Sequence, residues 1–180
     1  YVIIVCGTGK DSGDQGRLDL TCNNAYKILR ENGFTKDQIC YLNPRDQDVD
    51  GDGQPETTRK SSSANLYWAI RTWASERICA FSPLYMFMHG HGQEDPFGPT
   101  EALILKHGIG WEQDDVVHDY SLRDWLRELR SDRPQAQIFV INSFCYCGNF
   151  LDELSYVANI TICSCDANQD SYTYGTEQNY

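Results

Sequence analysis

Short apolar runs rich in β-branched and aromatic residues alternate along the chain with segments whose apolar positions recur every three or four residues. That alternation predicts strands and helices in turn, and hence the α/β fold class with a mainly parallel sheet covered by helices. Tyr1 to Cys6 (YVIIVC) predicts the first strand, and the Gly-rich GTGKDSGDQG behind it predicts a loop. Leu20 to Asn32 predicts a helix with Ala25, Ile28 and Leu29 on one face and Asn32-Gly33 as its stop. Gln38 to Leu42 is a second short strand. Ser63 through Ile78 reads as a helix, capped by one of Ser61 to Ser63, with Leu66, Ile70 and Trp73 at near-helical spacing. Pro83 introduces a third strand, Leu84 to Met88, and Glu101 to Leu105 suggests a short extra one. Ser121 is the expected N-cap of a helix from Leu122 to Arg130, with Trp125, Leu126 and Leu129 inward. Ala136 to Ile141 reads as a core strand, Gly148 to Tyr156 as a helix, and Ile160 to Cys163 as a buried strand. Pro44 to Ser63 is a polar, acidic loop, and loops of that length inside a compact domain are usually functional or disordered.

The 180 residues suffice for one domain with a single core. The net charge of −11 has the wrong sign for a surface that tracks phosphates or anionic lipid, so neither nucleic acid nor a membrane is an expected partner. No run approaches the ~20 apolar residues needed to cross a bilayer. The chain opens on Tyr1 directly in an apolar strand, as an excised domain or a processed chain would. The eight cysteines fall mostly in strand-like runs, where a free thiol packs as a small hydrophobe, and an α/β core of this size does not need disulfide staples.

Two groups with catalytic chemistry emerge where predicted strands end, the place where ligands bind in open parallel sheets. His91 lies just past one strand in His89-Gly90-His91-Gly92, and Cys145 just past another, about fifty residues downstream. Each has glycine nearby, Gly92 directly and Gly148 three residues on, where backbone can approach a substrate closely. A thiol becomes a useful nucleophile when an imidazole can take its proton. The same residues admit two other readings, core thiols beside a turn histidine, or a zinc site of His89, His91, Cys145 and Cys147. The spacing disfavours zinc, because alternate residues of an extended segment face opposite ways.

The strand plus His-Gly at Leu84 to Gly92 resembles the motif of caspase-like cysteine peptidases, in which a small residue precedes the catalytic His-Gly; that selects His91 over His89. FVINSFCYCGNF resembles the segment of the legumain-like members in which an apolar strand ends in Cys, two residues and Gly, which makes Cys145 the nucleophile. Cys147 then stands where that family often has Ser. Cys165 to Tyr172 (CDANQDSY) resembles the substrate-facing strand exit that follows. RLDLTCNNAY is similar to the legumain segment in which an Arg stands nine residues before the Tyr of an Ala-Tyr pair. The resemblance covers nearly the whole chain in order. It implies a three-layer caspase-like domain lacking part of its C-terminal half, completed by further chain segments and made as a zymogen. It implies a cysteine endopeptidase acting on peptide or protein substrates through a thioester, with the backbone N–H groups of Gly92 and Cys145 holding the oxyanion. Arg17 would line the primary specificity pocket and Ser143 its wall, favouring Asn or Asp before the cleaved bond, because a guanidinium offers a planar fork to their oxygens. A transamidase and a noncatalytic caspase-like interaction module stand as alternatives.

Within the acidic loop, Asp46, Asp48, Asp50 and Asp52 alternate with other residues and Gly51 takes the sixth place, as in a calcium loop. The twelfth place falls on Thr57, with Glu56 beside it. These four aspartates are therefore expected ligands of a calcium ion, structural or gating. Asn159-Ile160-Thr161 matches a glycosylation triplet but opens a predicted buried strand, so it reads as a chance match.

Overall fold

The computed structural model describes residues 1–94, 101–107 and 114–171. Its strands are β1 (Val2–Cys6), β2 (Ile39–Leu42), β3 (Leu84–His89), β4 (His91–Glu94), β5 (Glu101–Lys106), β6 (Asp115–His118), β7 (Ile138–Ser143) and β8 (Ile160–Cys163). Five of them form one parallel sheet in the order β2-β1-β3-β7-β8. The helices are α1 (Ser12–Glu31), α2 (Ser63–Trp68, running on as a π-helical stretch over Ala69–Ala74), α3 (Asp119–Asp132) and α4 (Asn149–Leu154). The fold is α/β in three layers. From β1 the sheet grows one way to β2 and the other way through β3 to β7 and β8. Right-handed crossovers therefore put the helices of the two halves on opposite faces.

The alternation of side chains along β1 shows the result. Val2, Ile4 and Cys6 pack beneath Leu18, Cys22 and Tyr26 of α1, whereas Ile3 and Val5 join the larger core under α2, α3 and α4. Burial on both faces is why YVIIVC is an unbroken apolar run. On the α1 side the cover stops at β3. Beyond it Tyr85, Phe87, Phe139, Ile141, Ile160 and Ile162 line the sheet face, and the two β8 isoleucines are about half exposed. Tyr85 and Phe139 stack there with ring centroids 5.0 Å apart.

Three expectations need correction. Helix α1 begins at Ser12, inside the stretch expected to be loop, because the Asp11 carboxylate accepts hydrogen bonds from the N–H groups of Gly13 and Asp14 and so caps it. Helix α3 starts at Asp119, directly out of β6, with His118 rather than Ser121 in the cap position. Strand β8 is not buried on both faces but is the edge of the sheet. Asn159 before it accepts from the Ile138 N–H and from Arg130 Nη2, each at 2.8 Å, so its amide tethers the edge. The extra strand at Glu101 is present as β5, in a separate antiparallel sheet β4-β5-β6 that leaves the main sheet at the end of β3. Among the described residues, no helix is long and apolar enough to cross a membrane.

Candidate active site

Strands β3 and β7 lie side by side with His89 opposite Ser143, so the segments carrying His91 and Cys145 leave the sheet next to each other. The contact between them is backbone on backbone. A methyl on Gly92 would stand 1.9 Å from the Cys145 carbonyl oxygen, closer than any side-chain carbon can come. Glycine at 92 is thus required by the approach of the Cys145 loop. Directly after Cys145 the chain turns through Tyr146 at φ 62°, a left-handed conformation unusual for a bulky residue. Residues held in such conformations cluster at active sites and ligand clamps. The turn is braced by the Tyr146 N–H donating to the Gln169 carbonyl at 2.9 Å. The Cys145 sulfur is half-buried and accepts from the Ser171 N–H at 3.3 Å.

His91 is oriented from the other side of the switch point between β1 and β3, where the sheet reverses its direction of growth. Its Nε2 lies 2.6 Å from Asp14 Oδ2. Asp14 also accepts from the Lys10 N–H at 2.8 Å, and its other oxygen is 3.5 Å from the guanidinium of Arg17. Burial opposes ionisation of Asp14, but the hydrogen bonds from His91, Lys10 and Arg17 together hold its carboxyl below the ordinary range. An ionised Asp14 fixes Nε2 of His91 as the protonated nitrogen and leaves Nδ1 for proton exchange. Helix α1 supplies both Asp14 and Arg17 from its first two turns, so its early start builds this side of the site.

His89 has a different character. It is buried, stacked along Phe87, and its Nδ1 lies 2.9 Å from the Ser143 carbonyl and 3.1 Å from Ser143 Oγ. Burial lowers its basicity, and its Nε2 has no hydrogen-bond partner. A neutral histidine that donates from Nδ1 to Ser143 is a strand-end spacer. Ser143 therefore meets His89 on the sheet, and Arg17, 60% exposed at its side chain, meets Asp14. Ser143 thus lies two residues before Cys145 at the end of β7, and Arg17 reaches the His91 side through Asp14.

Cys147 is buried, with its sulfur 3.7 Å from Cys165 Sγ, 3.6 Å from Ser164 Oγ and 3.6 Å from the Asn142 carbonyl oxygen. All eight cysteines are free. Of the segment Cys165 to Tyr172, Tyr172 lies outside the described residues.

The acidic loop is organised differently from its expected ligand set. Asp48, Asp50 and Glu56 bring carboxylate oxygens within 4.8 Å of one another, whereas Asp46 turns away to Lys60 at 2.5 Å. Among the described residues no other set of three His, Cys, Asp or Glu side chains comes so close, so His89, His91, Cys145 and Cys147 do not form a zinc site. The ammonium of Lys36 stands 3.0 Å from Asp50, 3.0 Å from Asp52 and 2.8 Å from Glu56. Those contacts, Glu56 first, raise the basicity of Lys36. Glu56 is itself buried and also accepts from the Val49 N–H at 2.5 Å.

The residues missed in the sequence are Asp14 and Lys36, and Glu56, noted beside the twelfth place, was not counted among the expected ligands. Asp14 had a readable signal, the Asp11-x-x-Asp14 pattern of a helix start, with Leu18, Cys22 and Tyr26 extending the helical period. Lys36 carried none, since it reaches the loop from another element.

No family model and no curated protein matches the chain. Among solved structures it is similar to protein GSU0716 from Geobacter sulfurreducens, at 15% identity and a TM-score of 0.49. The match covers 87% of this chain and 54% of the other, so the chain spans about half the length of that protein.

Proposed function

We propose that the protein is a cysteine endopeptidase of caspase-like type that cleaves peptide bonds after Asn or Asp, with Cys145 as nucleophile and His91 as acid and base. The observation that carries the proposal is the close approach of Gly92 to the Cys145 loop at the ends of neighbouring strands. It sets an imidazole segment against a thiol segment, backbone on backbone, and His91 is held there by Asp14.

The chemistry follows from these groups. Cys145 gives its proton to Nδ1 of His91 and attacks the scissile carbonyl carbon. Charge moves to the carbonyl oxygen, where the N–H groups of Gly92 and Cys145 receive it. The C–N bond then breaks as His91 returns the proton to the leaving amine, and a thioester remains on Cys145. Water attacks the thioester, losing its proton to His91, and the acid product leaves with the thiol restored. Arg17 presents its exposed guanidinium to the side-chain oxygen of Asn or Asp before the bond.

Calcium is proposed at Asp48, Asp50 and Glu56, where it would have to displace the ammonium of Lys36. The apolar face over β3, β7 and β8 is where further chain segments completing the domain would pack, since parallel sheets are covered on both faces.

The test is turnover of fluorogenic peptides bearing Asn, Asp, Arg or Lys before the reporter, with and without calcium, by the wild type and Cys145→Ala. Cleavage after Asn or Asp that vanishes in the variant is expected. Cleavage after Arg or Lys would remove Arg17 from the pocket, and no cleavage by the folded protein would remove the peptidase.

A further inference from the structure

The segment that follows β8 wraps the Cys145 loop at several points. The Ala167 N–H lies 2.3 Å from where a methyl on Gly148 would stand, so the two backbones touch. Asn149 Nδ2 donates to the Ala167 carbonyl at 3.1 Å, Gln169 accepts from Tyr146, and Ser171 contacts the Cys145 sulfur through both its N–H and its carbonyl. Across this seam sit Cys147 from the loop and Cys165 from the wrapping segment, their sulfurs 3.7 Å apart. A third thiol, Cys163, also lies against Cys147 and donates to its carbonyl oxygen at 2.8 Å, as Cys165 donates to that of Phe144 at 3.2 Å.

We infer that Cys147 and Cys165 are a site of reversible oxidation, joined by hydrogen peroxide into a disulfide that pins the wrapping segment against the Cys145 loop. A disulfide needs its sulfurs at about 2.05 Å, a closure of under ~2 Å from the reduced geometry. The roles divide by position. Cys165 is half-buried and open to a small oxidant, whereas Cys147 is buried. Burial pushes the Cys165 thiol up, but it is the one of the pair that the peroxide reaches; it takes one oxygen atom, becoming a sulfenic acid and releasing water. Cys147 then attacks the Cys165 sulfur, and its proton leaves with the hydroxyl as a second water. The two sulfurs give up one electron each and the peroxide is reduced by two. Hydrogen bonding from Cys163 holds the Cys147 thiol below its ordinary range and pushes Cys163 up, which makes Cys147 the better attacking sulfur and Cys163 the poorer.

Because Ser171 lies on the Cys145 sulfur, the oxidised form keeps that sulfur covered, and a covered sulfur alkylates more slowly. That consequence for turnover rests on Cys145 being the nucleophile, whereas the disulfide itself does not.

The experiment treats the native chain with hydrogen peroxide, blocks free thiols with iodoacetamide, and maps linked peptides by mass spectrometry. No Lys or Arg follows Arg133, so trypsin leaves Cys145, Cys147, Cys163 and Cys165 on one fragment. Chymotryptic cleavage at Tyr146 separates Cys145 from Cys147, and the variants Cys163→Ser and Cys165→Ser decide between the two thiols that share a peptide. The expected result is a Cys147-linked peptide that persists in Cys163→Ser, disappears in Cys165→Ser and reverses with dithiothreitol. Linkage through Cys163 or Cys145 would overturn the inference, as would free Cys147 and Cys165 at a peroxide dose that oxidises the exposed Cys79. Should a variant fail to fold, fragment-ion sequencing of the linked wild-type peptide assigns the bridge to Cys163 or to Cys165. Iodoacetamide labelling of Cys145 is expected to slow severalfold in the oxidised protein. Equal rates would leave the disulfide and refute its effect on the site.

Discussion

Replacing Gly92 with alanine tests the apposition of the two loops most directly. The added carbon would stand 1.9 Å from the Cys145 carbonyl oxygen, 2.9 Å from its carbonyl carbon and 3.1 Å from a ring carbon of Phe144. The first contact involves backbone, so no rotamer change relieves it. One loop must retreat by about 1 Å, and a misplacement of that size costs on the order of 10²-fold in rate. That corresponds to about 2.7 kcal/mol of transition-state stabilisation. Overpacking adds a stability loss of roughly 1–3 kcal/mol. Three measurements separate these effects: kcat/KM on an Asn-bearing peptide, the rate of Cys145 alkylation by iodoacetamide, and urea unfolding. Gly16→Ala is the control, because nothing lies within 4 Å of its added carbon. Removing a helical glycine there should stabilise α1 by about 0.5–1 kcal/mol. A Gly92→Ala protein that folds with wild-type turnover and wild-type alkylation would refute the reasoning.

Other outcomes follow from the same geometry. Asp14→Ala should lower kcat by about a hundredfold with KM held, and Asp14→Asn should restore part of it, because Asp14 positions His91 without touching substrate. Asp19 is buried and accepts from Gln15, Asn43, Arg45 and Gln47, so Asp19→Ala should destabilise the fold by roughly 1–3 kcal/mol in urea unfolding, since the half-exposed Arg45 can turn to water but the buried amides cannot. His89, kept below its ordinary value of 6.5 by burial, contributes stability that is complete above that value and lost as pH falls through its folded value. Thermal melts should therefore drop as pH falls below 6.5, and His89→Phe should flatten the drop. Lys36→Met should strengthen calcium binding in calorimetric titration by removing the ammonium from Asp50, Asp52 and Glu56; unchanged binding would dissociate calcium from this loop.

The first strand was legible because a parallel strand buried on both faces leaves an unbroken apolar run, as in YVIIVC, and FVIN keeps such a run although its Phe139 and Ile141 lie on the uncovered face. The start of α1 was hidden by its glycines, which outweighed the Asp11 cap, and the error cost the reading Asp14. That contact also spans seventy-seven residues, so no local pattern shows it. The antiparallel excursion was half legible. Strand β5 has the run ALIL, but β4 begins with His91-Gly92-Gln93, whose extended form comes from pairing with β5 and not from its own propensity. The acidic loop showed its aspartates but not their cation, because Lys36 belongs to the short turn before β2 and meets them only after folding.

The uncovered half of the sheet bears on how the molecule behaves among its own kind. Tyr85, Ile141, Ile160 and Ile162 give it a sticky side, and a net charge of −11 keeps copies apart through mutual repulsion. That repulsion reaches about 10 Å at 0.1 M salt and about 3 Å at 1 M. Added sodium chloride should thus turn a colloidally quiet solution into one whose light scattering climbs with protein concentration. Ile160→Lys with Ile162→Lys, on an edge strand that tolerates charge, should keep it quiet at every salt level.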